Sequence, residues 1–326
     1  MALFARSLRE DAVPKQKTMR KHSMLTNLRK DKELVFLALP IFIKTLIFSY
    51  LPMFGIIIAF KKINYREGIL GSPWVGWKNF EFLFKSMDAW KMTRNTLLYN
   101  VAFIVLGTTA CLILAFLLYE ITSRPCLKTY QTILIVPNFI SWVVVSYLAV
   151  IFLSQEYGLL NSLLQMFGIE PISWYSAAEK WPAIIIIANL WKYTGYSCLI
   201  YYASLMGIDK EYFEAATIDG ATKMQCIRYI SLPFLKPTII ILTIMSIGKI
   251  FNANFDLFYL LPNASTNGVL YVTTVVIDTY VFRALRGTGD LGMSAAAGLY
   301  QSVVGFILVL AANLTVRKID PDSSLF

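Results

Sequence analysis

The sequence has 326 residues and a formal net charge of +10, and 57% of it is hydrophobic against 15% charged. That balance is too apolar for an ordinary soluble domain, so a single membrane domain is expected. His22 is the only histidine, which excludes a His-based metal site or a Ser/His/Asp triad within the apolar body; the four cysteines (Cys111, Cys126, Cys198, Cys226) lack paired spacing and read as free thiols.

The chain opens with a basic segment, residues 1–33, that carries Arg6, Arg9, Lys15, Lys17, Arg20, Lys21, Arg29, Lys30 and Lys32. Confined to one end, such a run marks the cytoplasmic side of a membrane protein near anionic headgroups and argues against nucleic acid. It is too polar, and too long ahead of the first apolar run, for a cleaved signal peptide.

Residues 34–316 form the expected transmembrane domain, followed by a cytoplasmic tail, 317–326. Its apolar segments fall near 34–60, 96–119, 130–154, 182–206, 234–253 and 295–316. The expected fold is therefore an all-α integral membrane protein of about six transmembrane helices. Pro40 and Pro52 predict a first helix that is kinked or broken. The loop from Lys61 to Lys91 is rich in Gly, Trp and Phe, including Gly68, Gly71, Pro73, Trp74, Gly76, Trp77 and Phe80, and is expected to be folded against the membrane interface. With the N-terminus inside, the inner segments hold sixteen Lys and Arg against nine outside. Both termini are then expected in the cytoplasm.

In the fourth segment Asn189, Lys192, Tyr193 and Tyr196 share one helical face, and in the fifth Lys249, Asn252 and Asp256 do the same. Polar groups at membrane depth are functional candidates, so these two stripes are expected to line a pathway; Lys44 is a weaker candidate. The alternative is that the lysines snorkel or bond helix-end carbonyls, that Asp256 pairs with Lys249, and that the tyrosines only pack. The segment 254–294, with its turn-forming run Pro262 to Gly268, is the longest outer loop and could meet a soluble partner. Ser294, Gly298 and Ser302 read as a small-residue packing face.

The cytoplasmic loop 207–233 carries the most specific pattern. Asp209 is a plausible N-cap, Glu211 lies in the first turn, and Gly220 can end the helix in a left-handed conformation, so residues 210–219 are expected to form a short surface helix. Phe213, Ala216 and Ile218 offer apolar contacts while Ala215 and Ala216 keep the surface low, as in a helix held in a groove. An amphipathic helix resting on headgroups is the plainer reading.

Glu214-Ala215-Ala216, then three residues, Gly220, then nine residues, Ile230, Leu232 and Pro233, with Asp219 and Ala221 flanking the glycine, resembles the full EAA signature of bacterial ABC importer permeases. The resemblance implies a type I permease fold in the bacterial inner membrane, with this loop as the coupling helix that docks on an ATP-binding subunit. It further implies a second permease chain, two ATP-binding subunits that hold ATP and Mg, and an extracytoplasmic solute-binding protein. Leu51 to Phe60 followed by Gly71 to Phe80 is similar to the polysaccharide and oligosaccharide branch, related to the maltose importer's membrane subunits, and within it to permeases of alginate importers. An oligosaccharide substrate is thus implied, and deep lysines without deep carboxylates would favour an acidic one.

No G-x-x-x-x-G-K-[ST] loop occurs; the one Gly-Lys pair, Gly248-Lys249, is followed by Ile250. The chain is therefore expected to hydrolyse no ATP, to bind no cofactor itself, and to have no catalytic residue. A secondary transporter or channel independent of an ATPase is the competing class, although no internal repeat supports it. A membrane-embedded enzyme lacks any catalytic constellation.

Overall fold

The computed structural model describes residues 32–263 and 267–319. Most of the basic segment 1–33, part of the turn run at 264–266 and the tail from 320 lie outside the described residues.

The chain divides into two compact units, Met1–Gly55 and Ile56–Phe326. In the first, α1 (Lys32–Thr45) contains Pro40, and Lys44 sits in its last turn, where a cation complements the helix dipole. From there the backbone widens into a π turn over Leu46–Tyr50 and then tightens into a 3-10 helix over Leu51–Phe60. Pro52 cannot donate an amide hydrogen, so one bond of a regular α-helical ladder is lost in this stretch. Where a kinked or broken first helix was expected, the hydrogen bonding instead changes through three patterns, and the run is not broken in two. The whole run Phe36–Phe60 remains long and apolar enough to cross a bilayer.

In the second unit, the loop after Phe60 is folded as expected. Lys62 and Val75 make backbone bonds to Pro73 and Phe60, closing a small bridge between Lys61 and Trp74. Phe60 stacks on Trp74 at 5.7 Å and meets Trp77 edge-on at 5.4 Å.

α2 (Met87–Tyr119) begins nine residues before the apolar segment, where Ser86 caps it by accepting the Ala89 N–H. Its 33 residues make a rod of about 50 Å, longer than a hydrocarbon core of about 30 Å, so it projects into an aqueous layer. It packs along α6 (Trp181–Met206). Buried small residues at that seam, Cys111, Ala115 and Cys198, allow the two backbones to approach.

The third expected helix requires correction. The segment 130–154 is not one rod: α3 (Arg124–Phe139) and α4 (Trp142–Leu153) meet at a bend of 97°. Pro137 removes an amide donor just before the break and Ser141 caps the new helix by accepting the Val144 N–H. Pieces of 16 and 12 residues reach only about 24 and 18 Å, so neither spans a bilayer alone. Five long helices and this bent pair are the candidates for the expected six spans.

After α5 (Leu159–Met166) and α6 come the short α7 (Lys210–Ile218) and α8 (Leu232–Ile247). The segment 254–294 is largely helical, with α9 (Phe255–Leu260) and the amphipathic α10 (Ile277–Thr288), before α11 (Leu291–Ile319). The expected small-residue face of the last helix is displaced. A Cβ on Gly298 would meet open space, whereas one on Gly305 would lie 2.9 Å from the Gly248 carbonyl oxygen. The close approach therefore runs through Gly305, one turn beyond Ser302.

Three buried clusters hold the unit together: Tyr99, Trp142, Trp181, Leu257 and Phe258 in one; Phe80, Met92, Phe251 and Ala297 in the second; Cys111, Cys198, Leu205 and Leu235 in the third. Large apolar side chains such as Ile113, Ile187, Phe306 and Ile307 stay exposed on the spans. Lipid tails are as apolar as these side chains, so their exposure carries no penalty.

Candidate functional site

Two sites take shape. The first is the loop between α6 and α8. Asp209 accepts the Glu211 N–H and so caps α7. At the other end Gly220 has φ +78°, the Ala221 N–H reaches back to the Ala216 carbonyl at 2.9 Å, and the Gly220 N–H bonds Thr217 at 3.1 Å. That pair of bonds is a Schellman motif, which requires a left-handed residue at Gly220. Thr222 then opens the next turn through a capping box with Gln225, and Pro233 stands in the first turn of α8.

Glu214 and Ala215 face solvent, as does Ile218 at 86% exposure, an unusual position for a large apolar residue outside the spans. Phe213 turns inward and packs on Tyr119 at the end of α2, ring centroids 5.8 Å apart. Lys223 forms an ion pair with Glu120 just beyond the same helix end. Asp219 is exposed, Ala221 and Ile230 are half-buried, and Leu232 lies at the root of α8. The hairpin is thus a rigid, outward-facing knob with an apolar tip, fastened to α2.

The second site is a cavity of about 470 Å³ between α2, α6 and α8. Asn189, Tyr193, Lys249 and Asn252, four of the seven expected pathway residues, line it. Tyr196 does not; it is exposed beside a separate hollow with Leu199 and Ser204. The expected common face of Lys249, Asn252 and Asp256 is also corrected. α8 ends at Ile247 with Gly248 as its cap, so Lys249 and Asn252 occupy an irregular segment, and Asp256 lies exposed in the first turn of α9. Among the described residues Lys249 and Asp256 form no ion pair.

Lys192 departs furthest from the stripe drawn for it. It is 4% exposed and does not line the cavity. Its ammonium donates to the carbonyls of Pro137 at 3.3 Å, Asn138 at 3.1 Å and Ile140, at the break between α3 and α4, where the Pro137 carbonyl also accepts the Ile140 N–H. Trp142 and Tyr193 present ring faces to it at 5.4 and 5.6 Å. Lys192→Met should therefore leave the Asn138 and Ile140 carbonyls without their ammonium donor, at a cost of about 1–3 kcal/mol. A lowered melting temperature in detergent, with transport reduced alike for acidic and neutral sugars, is the expected result. Normal melting with a loss confined to acidic sugars would return Lys192 to the pathway.

Asn100, Asn254 and Trp142 were not singled out from the sequence. Asn100 lines the cavity from α2, and as an amide inside an apolar segment it satisfied the same criterion that picked out Asn189. Tyr193 Oη accepts both Trp142 Nε1–H at 3.1 Å and Asn254 Nδ2–H at 2.9 Å, which ties the α3–α4 break to the cavity wall. On α10, burial pushes the Asp278 carboxyl above the usual carboxylate range, opposed by hydrogen bonds from Ala253 and Gln301.

A model of the binding-protein-dependent transport system inner membrane component matches residues 107–321, which include the hairpin, α6 and most of the cavity wall. This chain belongs to that family. It is 36% identical over 308 residues, 94% of each chain, to the polygalacturonan/rhamnogalacturonan transport system permease protein YteP of Bacillus subtilis. A crystal structure of a bacterial ABC transporter involved in the import of the acidic polysaccharide alginate holds a similar chain, with a TM-score of 0.82, 33% identity, and coverage of 91% of this chain and 99% of that one. A second structure, of bacterial alginate ABC transporter in complex with alginate pentasaccharide-bound periplasmic protein, matches at 0.81 and 32%, covering 91% and 98%. The fold is that of an ABC importer permease. The chain is accordingly a multi-pass inner membrane permease, a transport component rather than an enzyme.

Proposed function

We propose that this permease moves an acidic oligosaccharide into the cytoplasm by alternating access, through the cavity between α2, α6 and α8. The observation that carries the reading is the cavity wall, where Asn100, Asn189, Tyr193 and Asn252 stand beside Lys249, the one charged side chain among the described residues that line it. Amides and a phenol match sugar hydroxyls, and an ammonium without an adjacent carboxylate matches a uronate. The volume lies within the range of about 300–1,000 Å³ usual for ligand sites. The polygalacturonan and alginate in the names of similar proteins support the same substrate class.

In this reading the α7 hairpin docks its exposed Glu214, Ala215 and Ile218 on an ATP-binding subunit. ATP and Mg belong to two such subunits, a second permease completes the membrane channel, and an extracytoplasmic binding protein delivers the sugar. Both termini face the cytoplasm. The fastening of the hairpin to α2 through Phe213 and Tyr119 gives the docking event a rigid path to a helix that lines the cavity.

The test is transport in proteoliposomes at fixed ATP. Lys249→Met keeps the apolar stem and removes the charge, so import of oligogalacturonate or oligoalginate should fall at least about tenfold while a neutral oligosaccharide is spared, since a charge-assisted hydrogen bond contributes about 1.5–3 kcal/mol. Equal rates for acidic and neutral sugars in Lys249→Met would remove the acidic-substrate reading. Parent-like transport of both in Asn252→Ala as well would remove the pathway.

A further inference from the structure

Segment 249–254 leaves the α-helical ladder for three-residue turn bonds while it is packed against the middle of α11, about 15 Å along from Leu291. Irregular backbone at membrane depth persists only where its freed groups are met inside the protein. Here three side chains from three helices meet them. Asn100 of α2 donates through Nδ2 to the Ile250 carbonyl at 2.9 Å and the Asn252 carbonyl at 3.4 Å. Gln301 of α11, buried, donates through Nε2 to the Phe251 carbonyl at 2.7 Å. Asp278 of α10 accepts the Ala253 N–H at Oδ2, 2.8 Å, and the same oxygen accepts Gln301 Nε2–H at 3.1 Å. Asp278 and Gln301 themselves do not line the cavity.

We infer that Asp278 and Gln301 are positioning residues of the transport pathway: together they clamp the backbone of residues 251–253 so that Asn252 and its neighbour Lys249 face the cavity. The inference rests on the pathway reading for its purpose but on hydrogen-bond geometry for its mechanism. The clamp has a defined polarity. Gln301 must donate twice, because Phe251 offers a carbonyl and the Asp278 oxygen already holds the Ala253 N–H. Asp278→Asn keeps an oxygen acceptor for both donors, whereas Asp278→Ala and Gln301→Leu leave the Ala253 N–H or the Phe251 carbonyl unmet.

Asn252→Cys in the assembled importer, with the four native cysteines replaced by alanine, reports the clamp directly. Its rate of modification by a charged methanethiosulfonate should shift about tenfold in Asp278→Ala and in Gln301→Leu, the change expected from losing a hydrogen bond to a charged or buried partner. Asp278→Asn should restore the parent rate. Gln301→Leu preserves apolar bulk, so it serves if Asp278→Ala fails to fold, and melting curves of each variant separate local release from global loss. Rates equal to the parent in every folded variant would overturn the clamp, as would failure of Asp278→Asn to restore the rate. Because the readout needs no sugar, a parent-like Lys249→Met and Asn252→Ala in transport would defeat the pathway reading without altering this result.

Discussion

Gly195→Ala should deplete the folded permease more than any other single methyl group added to the spans. A Cβ at Gly195 would stand 1.9 Å from the Leu134 carbonyl oxygen and 2.6 Å from its carbon, both backbone atoms of α3. Backbone cannot swing aside as a side chain can, so α3 must lift from α6 at the place where Lys192 joins the two. Overpacking of this kind costs about 1–3 kcal/mol where side chains can adjust, and more is expected where they cannot. Purified Gly195→Ala should melt well below the parent in detergent, or fail to accumulate in the membrane, and Gly195→Val should be worse. Gly298→Ala is the matched control, since nothing lies within 4 Å of its added methyl. If Gly195→Ala melts like the parent and like Gly298→Ala, the α3–α6 contact is looser than described.

The second large effect is expected at the α7 hairpin, on coupling rather than on folding. Gly220→Val places a β-branched residue at φ +78°, a conformation that costs an ordinary residue roughly 1–2 kcal/mol and that the two Schellman bonds demand. Val will unwind the end of α7, whereas Gly220→Asn should retain part of the function because Asn tolerates the left-handed region. Glu214→Lys leaves the backbone untouched and reverses a charge on the exposed face. Both Gly220→Val and Glu214→Lys should reduce ATP-dependent transport to near background, with the melting of Glu214→Lys unchanged because the residue supports no buried contact. The docking role of the hairpin would be lost if proteoliposomes carrying either variant imported sugar at the parent rate with normal ATP consumption.

The hairpin was legible in the sequence because its information is local. An N-cap, a first-turn carboxylate and a glycine at a helix end are read within a dozen residues, and Asp209, Glu211 and Gly220 adopt those roles. The apolar segments were legible for a similar reason, since crossing lipid demands length and hydrophobicity and little else. The pathway stripes were read by taking the fourth and fifth runs as straight helices; straightness failed in the fifth run and, outside the stripes, in the third. At Gly248 the fifth run leaves the helix, so periodicity no longer says which way Lys249, Asn252 and Asp256 point. At Ile140 the third run turns through 97°, an event that Pro137 permits but does not require.

What the amino-acid sequence determined by itself is therefore the membrane class, the approximate spans and the short helix α7 with its spaced signature, all set by interactions within a turn or by composition. Tertiary structure alone decided the fate of the buried polar groups. Lys192 shares a helical face with Asn189 and Tyr193, yet its ammonium goes to carbonyls more than fifty positions away, while Asn189 and Tyr193 line the cavity. The physical reason is that a charge or an open carbonyl in a medium without water takes whichever partner the packing brings within about 3 Å. Broken helices supply such carbonyls at depth, and which side chains reach them depends on contacts between distant segments.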